Sequence, residues 1–186
     1  MKKIALLFIC LSCYTLYAQE IIVAEPEFSG QVVYVKSPTE GIQIPKENAQ
    51  IKTKAGASLY LVGIGSIKSR IHLKGITSAT RIPRTAETQF IVRAVDNKTD
   101  PLQIVNFIKF DINGKSRRAE LSKFNSFGGE SKNNMKRLDF KAKKYGEDSY
   151  LITIEGMEPG EYGVFVTNPN EKDEKNSLVI ATFGVD

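Results

Sequence analysis

The chain has 186 residues, a formal net charge of +5, no Trp, one His and two Cys, both within the first thirteen positions. That length suits one or two ordinary domains with a sizeable core. One histidine is too few for a zinc centre of the usual ligand set, and no later apolar run reaches the ~20 residues that a membrane-spanning helix needs.

The N-terminus sets the expected compartment. Lys2-Lys3, an apolar run over residues 4–13, and Leu16-Tyr17-Ala18 before Gln19 form the pattern of a secretory signal peptide. Residues 1–18 are therefore expected to be removed, leaving a periplasmic or secreted product. A lipoprotein signal is the alternative, with Cys13 as the lipidated residue. Ser12 is suitably small, but Cys10 stands where Leu is usual, and Ile9 is too bulky to precede a lipidated Cys10. Cleavage after Ala18 leaves 168 residues, a net charge of +3 and no cysteine, hence neither disulfide nor thiol chemistry.

In chain order, residues 20–28 read as an extended lead-in, because Pro26 argues against a central strand. Residues 31–36 predict a strand by β-branched and aromatic enrichment, and Pro38 and Gly41 mark the turn after it. Short strands are predicted at 42–44, 49–53, 59–64 and 67–73. In the last, Ile67, Ile71 and Leu73 share one face while Lys68, Arg70 and His72 share the other. The composition changes over 75–84, which predicts a boundary between an N-terminal β subdomain (19–83) and a C-terminal sandwich (84–186).

Residues 88–95 are apolar on both faces and predict a central strand. After a turn at 96–101, residues 103–112 place Ile104, Ile108, Phe110 and Ile112 on one face. Asn113-Gly114 signals a hairpin to a partner strand at 117–124. Residues 125–134 read as an exposed loop. Residues 136–144 fit a helical face through Met135, Leu138, Ala142 and Tyr145, or a strand through Leu138, Phe140 and Ala142; strand is preferred because no N-cap pattern precedes them. In the last stretch Tyr150, Ile152 and Ile154 alternate with Leu151, Thr153 and Glu155. Pro159-Gly160 suits a type II turn, after which Tyr162, Val164 and Val166 enter the core.

An apolar residue followed by Pro159-Gly160-Glu161-Tyr162 resembles the turn of immunoglobulin-like and transthyretin-like β-sandwich modules, which commonly place that Tyr at a corner between sheets. Together with Lys144-Tyr145-Gly146, Ser149-Tyr150-Leu151-Ile152 and the terminal Phe183-Gly184-Val185-Asp186, it is similar to a set of uncharacterised secreted bacterial β-sandwich proteins. The resemblance covers about the last 40 residues well. It implies an all-β, antiparallel, immunoglobulin-like sandwich and export, and it brings no activity and no functional residue.

Charge is unevenly spread. Residues 109–144 carry a net +7 and residues 145–186 a net −7. Mutual neutralisation on neighbouring strands is the preferred reading, a basic partner-binding face the other.

Motifs for chemistry are sparse. His72 has no second His or Cys to join it, and no Gly-x-Ser-x-Gly elbow accompanies it. Gly63-Ile64-Gly65 lacks the third glycine of a phosphate loop. Oxygen ligands cluster at 96–100 and at 168–176 (Glu171, Asp173, Glu174), where calcium is conceivable without an EF-hand pattern. Phe107, Phe110, Phe124, Phe127 and Phe140 are interleaved with basic residues, as in stacking platforms, but strand aromatics usually face a core and nucleic acid is not expected. Tyr60, Tyr145 and Tyr150 are the candidates for glycan stacking. No catalytic, cofactor or metal site is assigned. The expected function is a non-catalytic exported module binding a protein or cell-surface component. The alternatives are a small carbohydrate-active or other hydrolase using carboxylates of loops 96–100, 125–134 and 168–176, and a lipid-anchored surface or adhesion component.

Overall fold

A computed structural model describes residues 20–55, 66–125, 131–133, 135–167 and 177–186. The expected signal peptide with Cys13, the expected strand at 59–64 and the acidic loop at 168–176 lie outside these residues. The chain is nearly all β. Its strands are β1 (Val32–Ser37), β2 (Glu40–Gln43), β3 (Lys46–Ala55), β4 (Ser66–Lys74), β5 (Thr80–Ile82), β6 (Glu87–Arg93), β7 (Val105–Asn113), β8 (Ser116–Asn125), β9 (Ser131–Asn133), β10 (Lys141–Tyr145), β11 (Ser149–Glu155), β12 (Gly160–Val166) and β13 (Ser177–Val185). A single helical turn, α1 (Pro101–Ile104), precedes β7.

The smaller sheet is antiparallel, in the order β10-β11-β6-β1-β2. Strand β6 is central, as its two apolar faces require: Phe90 and Val92 face the second sheet, while Ile91 faces the other way. That outer face would be wet were it not covered by residues 20–28. Val23 packs there with Val33, Val35, Ile91 and Leu151, and the Tyr145 hydroxyl donates to the Val23 carbonyl. Glu25 pins the same segment by accepting from the Glu147 amide at 3.2 Å and the Arg93 guanidinium at 3.4 Å. The lead-in is thus a strap rather than a strand.

The larger sheet runs β12-β7-β8-β4-β3-β13, and β13 also pairs with β12. Six antiparallel strands therefore close into a ring. Its inside holds Ala49, Ile71, Leu73, Ile108, Phe165 and Ile180 with Phe110 and Ala119, drawn from all six strands. The outer wall formed by β7, β12 and β13 faces the smaller sheet across a second core. Phe90 lies at its centre, with ring centroids 5.2 Å from Phe107, 5.0 Å from Phe183 and 5.9 Å from Tyr34. Neighbouring residues on one strand serve both cores, Phe107 outward to the sandwich and Ile108 into the ring. Strand β5 continues the line of β3 along β13, in parallel.

Several expectations change with this closure. The face predicted for 103–112 does not exist as one unit. Ile104 belongs to α1, whose Leu102 amide bonds the Asp100 carboxylate at 2.9 Å with Pro101 in the first turn. Ile108 and Phe110 fill the ring, and Ile112 is exposed. Of the strand predicted at 136–144 only β10 forms. Residues 135–138 instead run beside β7, joined by the Leu138 amide to the Phe107 carbonyl at 2.9 Å. The boundary expected at 83/84 is crossed in both sheets, because β1 pairs β6 and both β3 and β5 pair β13. Residues on its two sides share one core. The Tyr162 hydroxyl donates to the Glu158 carbonyl at 2.6 Å, tying the strand start to the turn before it.

Candidate functional site

The outer face of β3, β4 and β8 concentrates positive charge. Antiparallel register places directly opposed residues on the same face, so the ladders define rows across the three strands. One row is Gln50, His72, Arg118; the next is Lys52, Arg70, Glu120; the third is Lys54, Lys68, Lys123. A bulge in β8 opposite Ser69 and Arg70 lets the pattern shift by one residue and keeps Lys123 aligned with Lys68. Beneath the rows, Ile71 and Leu73 anchor β4 in the ring core. The alternation read from 67–73 produces this: branched apolar residues inward, basic residues outward.

Lys52, Lys54, Lys68, Arg70, His72 and Arg118 line a shallow cleft of about 110 Å³. His72 also lines an adjoining groove of about 470 Å³ with Glu47, Asn48, Gln50 and Lys74. The only acid in the three rows is Glu120, 3.6 Å from Lys68 and 3.9 Å from Arg70. Lys52 and Lys54 have no acidic partner among the described residues. Burial, and then the charges of Lys52 and Arg118, hold the His72 imidazole below its ordinary pKa. A face so built can bind an anion.

At one end of the ring lies a second polar assembly, and it is internally satisfied. Arg117, 1% exposed, donates to both Glu47 oxygens at 2.9 and 2.7 Å and to the Ser78 hydroxyl at 2.7 Å. Ser78 gives its amide and hydroxyl to Glu161 at 2.7 and 2.6 Å, and Arg81 joins Glu161 to Asp186. Every carboxylate here is already engaged by a cation or a hydroxyl. Sequence reading missed this network because its members are scattered along the chain; only the isolated acids and arginines of apolar strands could have signalled it.

His72 stands on the outer face of its strand, as read. The Asp96 carboxylate accepts from the Lys98 amide at 2.9 Å and Asp100 caps α1, so both acids of that loop serve the local backbone. Among the described residues no three His, Cys, Asp or Glu side chains come together to hold a metal ion. Tyr150 is buried with its hydroxyl on the Thr99 carbonyl, and Tyr145 is committed to the strap, so neither offers a stacking face. Phe107 and Phe110 are core residues and Phe140 packs against the core. Tyr60, Phe127 and the Gly63–Gly65 motif lie outside the described residues, as does the side chain of Phe124. Among the described residues no helix is long and apolar enough to cross a membrane.

The charge asymmetry is partly neutralised between neighbours: Lys109 meets Glu158 at 2.9 Å and Lys141 meets Glu155. In the rows of the β3–β4–β8 face Glu120 is the one acid that answers the cations. Neither a family model nor a curated protein matches this chain.

Proposed function

We propose that the protein is a non-catalytic, exported binding module that docks an anionic cell-surface component on the outer face of β3, β4 and β8. The observation that carries this reading is the row Lys54–Lys68–Lys123. Like charges directly opposed on neighbouring strands destabilise a sheet, and a sequence shaped for stability alone would alternate signs there. An anion seated on the rows converts that repulsion into attraction. The lysine lead, short apolar run and Leu16-Tyr17-Ala18 at the N-terminus support export. The Tyr162 corner supports the immunoglobulin-like reading of the sandwich, while the β12–β13 closure departs from it.

The test is retention on a polyanion matrix across a salt series. The protein should elute later than a Lys52→Gln, Lys68→Gln, Arg70→Gln variant, and its affinity should fall steeply with salt, the slope losing about one unit per cation removed. Equal elution of the two proteins would remove the face from the function.

A further inference from the structure

The arrangement of the cations, beyond their number, says what kind of anion fits. Strands in a sheet lie ~4.8 Å apart, whereas same-face residues along one strand repeat at ~7 Å. Counted along the strands, runs of permanent charge are short. Glu120 interrupts β8, Gln50 ends the β3 pair, and the third position of β4 is His72. Counted across the strands, the run Lys54–Lys68–Lys123 is unbroken. Positive charge therefore repeats at the interstrand spacing, in a line perpendicular to the strands.

From this, and resting on the anion-docking reading above, we propose that the ligand is a linear acidic polysaccharide laid across β3, β4 and β8, with one carboxylate or sulfate per sugar meeting one cation per strand. A pyranose unit advances by a length close to the interstrand spacing. An extended acidic peptide presents same-side charges at ~7 Å, which matches the strand direction, where the charge is broken. The outward positions of these rows hold only polar and charged residues, so the face lacks the aromatic or apolar anchor around which protein interfaces are built, and it is rich in the lysine they disfavour. Its one aromatic ring among the described residues is the small His72 imidazole, since Phe107 and Phe110 point into cores, so it offers no platform for successive bases. The chemistry is charge matching with hydrogen bonds to ring hydroxyls; no bond is made or broken.

The experiment is titration calorimetry at physiological salt with three probe series matched for charge. These are uronate oligosaccharides of two to eight sugars, polyglutamate of the same charge counts, and oligothymidylate. The expected result is affinity that climbs with sugar number until the chain spans the row, at about three units, and then levels, with polyglutamate and oligothymidylate at least tenfold weaker at equal charge. Lys54→Gln with Lys68→Gln should weaken uronate binding about tenfold or more, while Lys36→Gln with Lys141→Gln, surface cations of β1 and β10 in the smaller sheet, should leave it unchanged. If polyglutamate or oligothymidylate binds as tightly as the uronates and the Lys54/Lys68 variant still weakens it, the polysaccharide assignment falls and the anion-docking face stands. If no probe responds to the Lys54/Lys68 variant, both fall.

Discussion

Arg117 on β8 reaches Glu47 on β3 although β4 lies between their strands, its Nη2 standing 2.9 and 2.7 Å from the two carboxylate oxygens. The guanidinium passes under the end of β4, taking the Lys74 carbonyl at 3.2 Å on the way. Three strands of the ring are thereby fastened through one buried side chain. Its removal leaves Glu47, one-third exposed and still bonded by the Thr182 hydroxyl, without its cation, and leaves Ser78 short of a donor.

Arg117→Ala should therefore cost about 2–3 kcal/mol, the loss of hydrogen bonds to charged groups with one partner, Glu47, still one-third exposed. Arg117→Lys should recover little of it, because one ammonium cannot serve Glu47, Ser78 and two carbonyls at once. Urea unfolding midpoints of the three proteins check both statements. A loss below 1 kcal/mol for Arg117→Ala would show that the ring is held without the network.

Ring closure makes its own demand at Gly163, where β12 passes between β7 and β13. A Cβ at this position would stand 2.8 Å from the Phe110 ring and 2.8 Å from the Ile180 side chain, inside van der Waals contact with two core residues. Gly163→Ala should destabilise by about 1–3 kcal/mol through overpacking. Thermal unfolding measures it, and a Gly163→Ala, Phe110→Leu pair should recover part of the loss by vacating the ring's space.

How much of this was legible in the sequence depends on the range of the interactions involved. Strand β6, with Phe90, Ile91 and Val92 apolar in succession, announced its central place because burial on both faces leaves no polar alternation. The Asn113-Gly114 turn announced the β7–β8 hairpin, for a turn of that kind is a local matter. The outward set Lys68, Arg70 and His72 was also legible, since period two is a property of one strand. Their neighbours Lys52 and Arg118 were not, because register between β3, β4 and β8 depends on pairings that no local pattern specifies. The β12–β13 closure was invisible for the same reason. Residues 103–112 misled at their two ends, because Asp100 and Pro101 start a helical turn that takes Ile104 out of the strand and Ile112 is exposed beyond the ring core, while Ile108 and Phe110 keep their shared face.

The strap over the smaller sheet should respond to acid. Burial alone would raise the Glu25 pKa, but the buried Ser149 hydroxyl beside it, hydrogen bonds from the Glu147 and Asp148 amides and the Arg93 charge outweigh that, and the net shift is downward. A carboxylate whose folded pKa is depressed contributes stability above its unfolded value, ~4.3, and loses it as pH falls through the folded one. The strap should hold from neutral pH down to that value and loosen below it. Hydrogen exchange at the Ile22 amide, which bonds the Pro38 carbonyl at 2.8 Å, reports the change. Glu25→Gln should flatten the pH response while leaving Val23 packed.

Charge placed for a ligand should cost the free fold. Lys54 is exposed, faces Lys68 directly, and has no acidic partner among the described residues. Lys54→Glu should accordingly raise stability by about 0.2–1 kcal/mol while weakening polyanion binding. Added salt should stabilise the original protein more than the variant, since it screens the repulsion that the variant lacks. Paired thermal melts at low and high salt measure this difference, and a variant that is both less stable and undiminished in binding would contradict the reading of the lysine row.

The sole histidine gives the face a dependence on pH whose sign is fixed. Burial first, then the charges of Lys52 on β3 and Arg118 on β8, depress the His72 pKa; Arg70 lies two residues away on β4, and Glu47 and Lys74 share the adjoining groove. A histidine with a folded pKa below its unfolded value of ~6.5 resists protonation in the native state, so the free protein loses stability as pH falls from that value through the lowered one, then levels. An anion bound to the same face reverses the local field and raises the His72 pKa. The complex therefore takes up a proton, and affinity should climb between pH 7.5 and 5.5. A tenfold gain corresponds to a pKa one unit higher in the complex than in the free protein. Because His72 is the one imidazole in the chain, its carbon-bound proton resonances can be titrated without assignment, free and with a saturating polyanion. His72→Gln should remove the pH dependence of binding over that window and leave the salt dependence at pH 7.5 nearly intact. A bound-state pKa equal to or below the free value would place the anion away from β4.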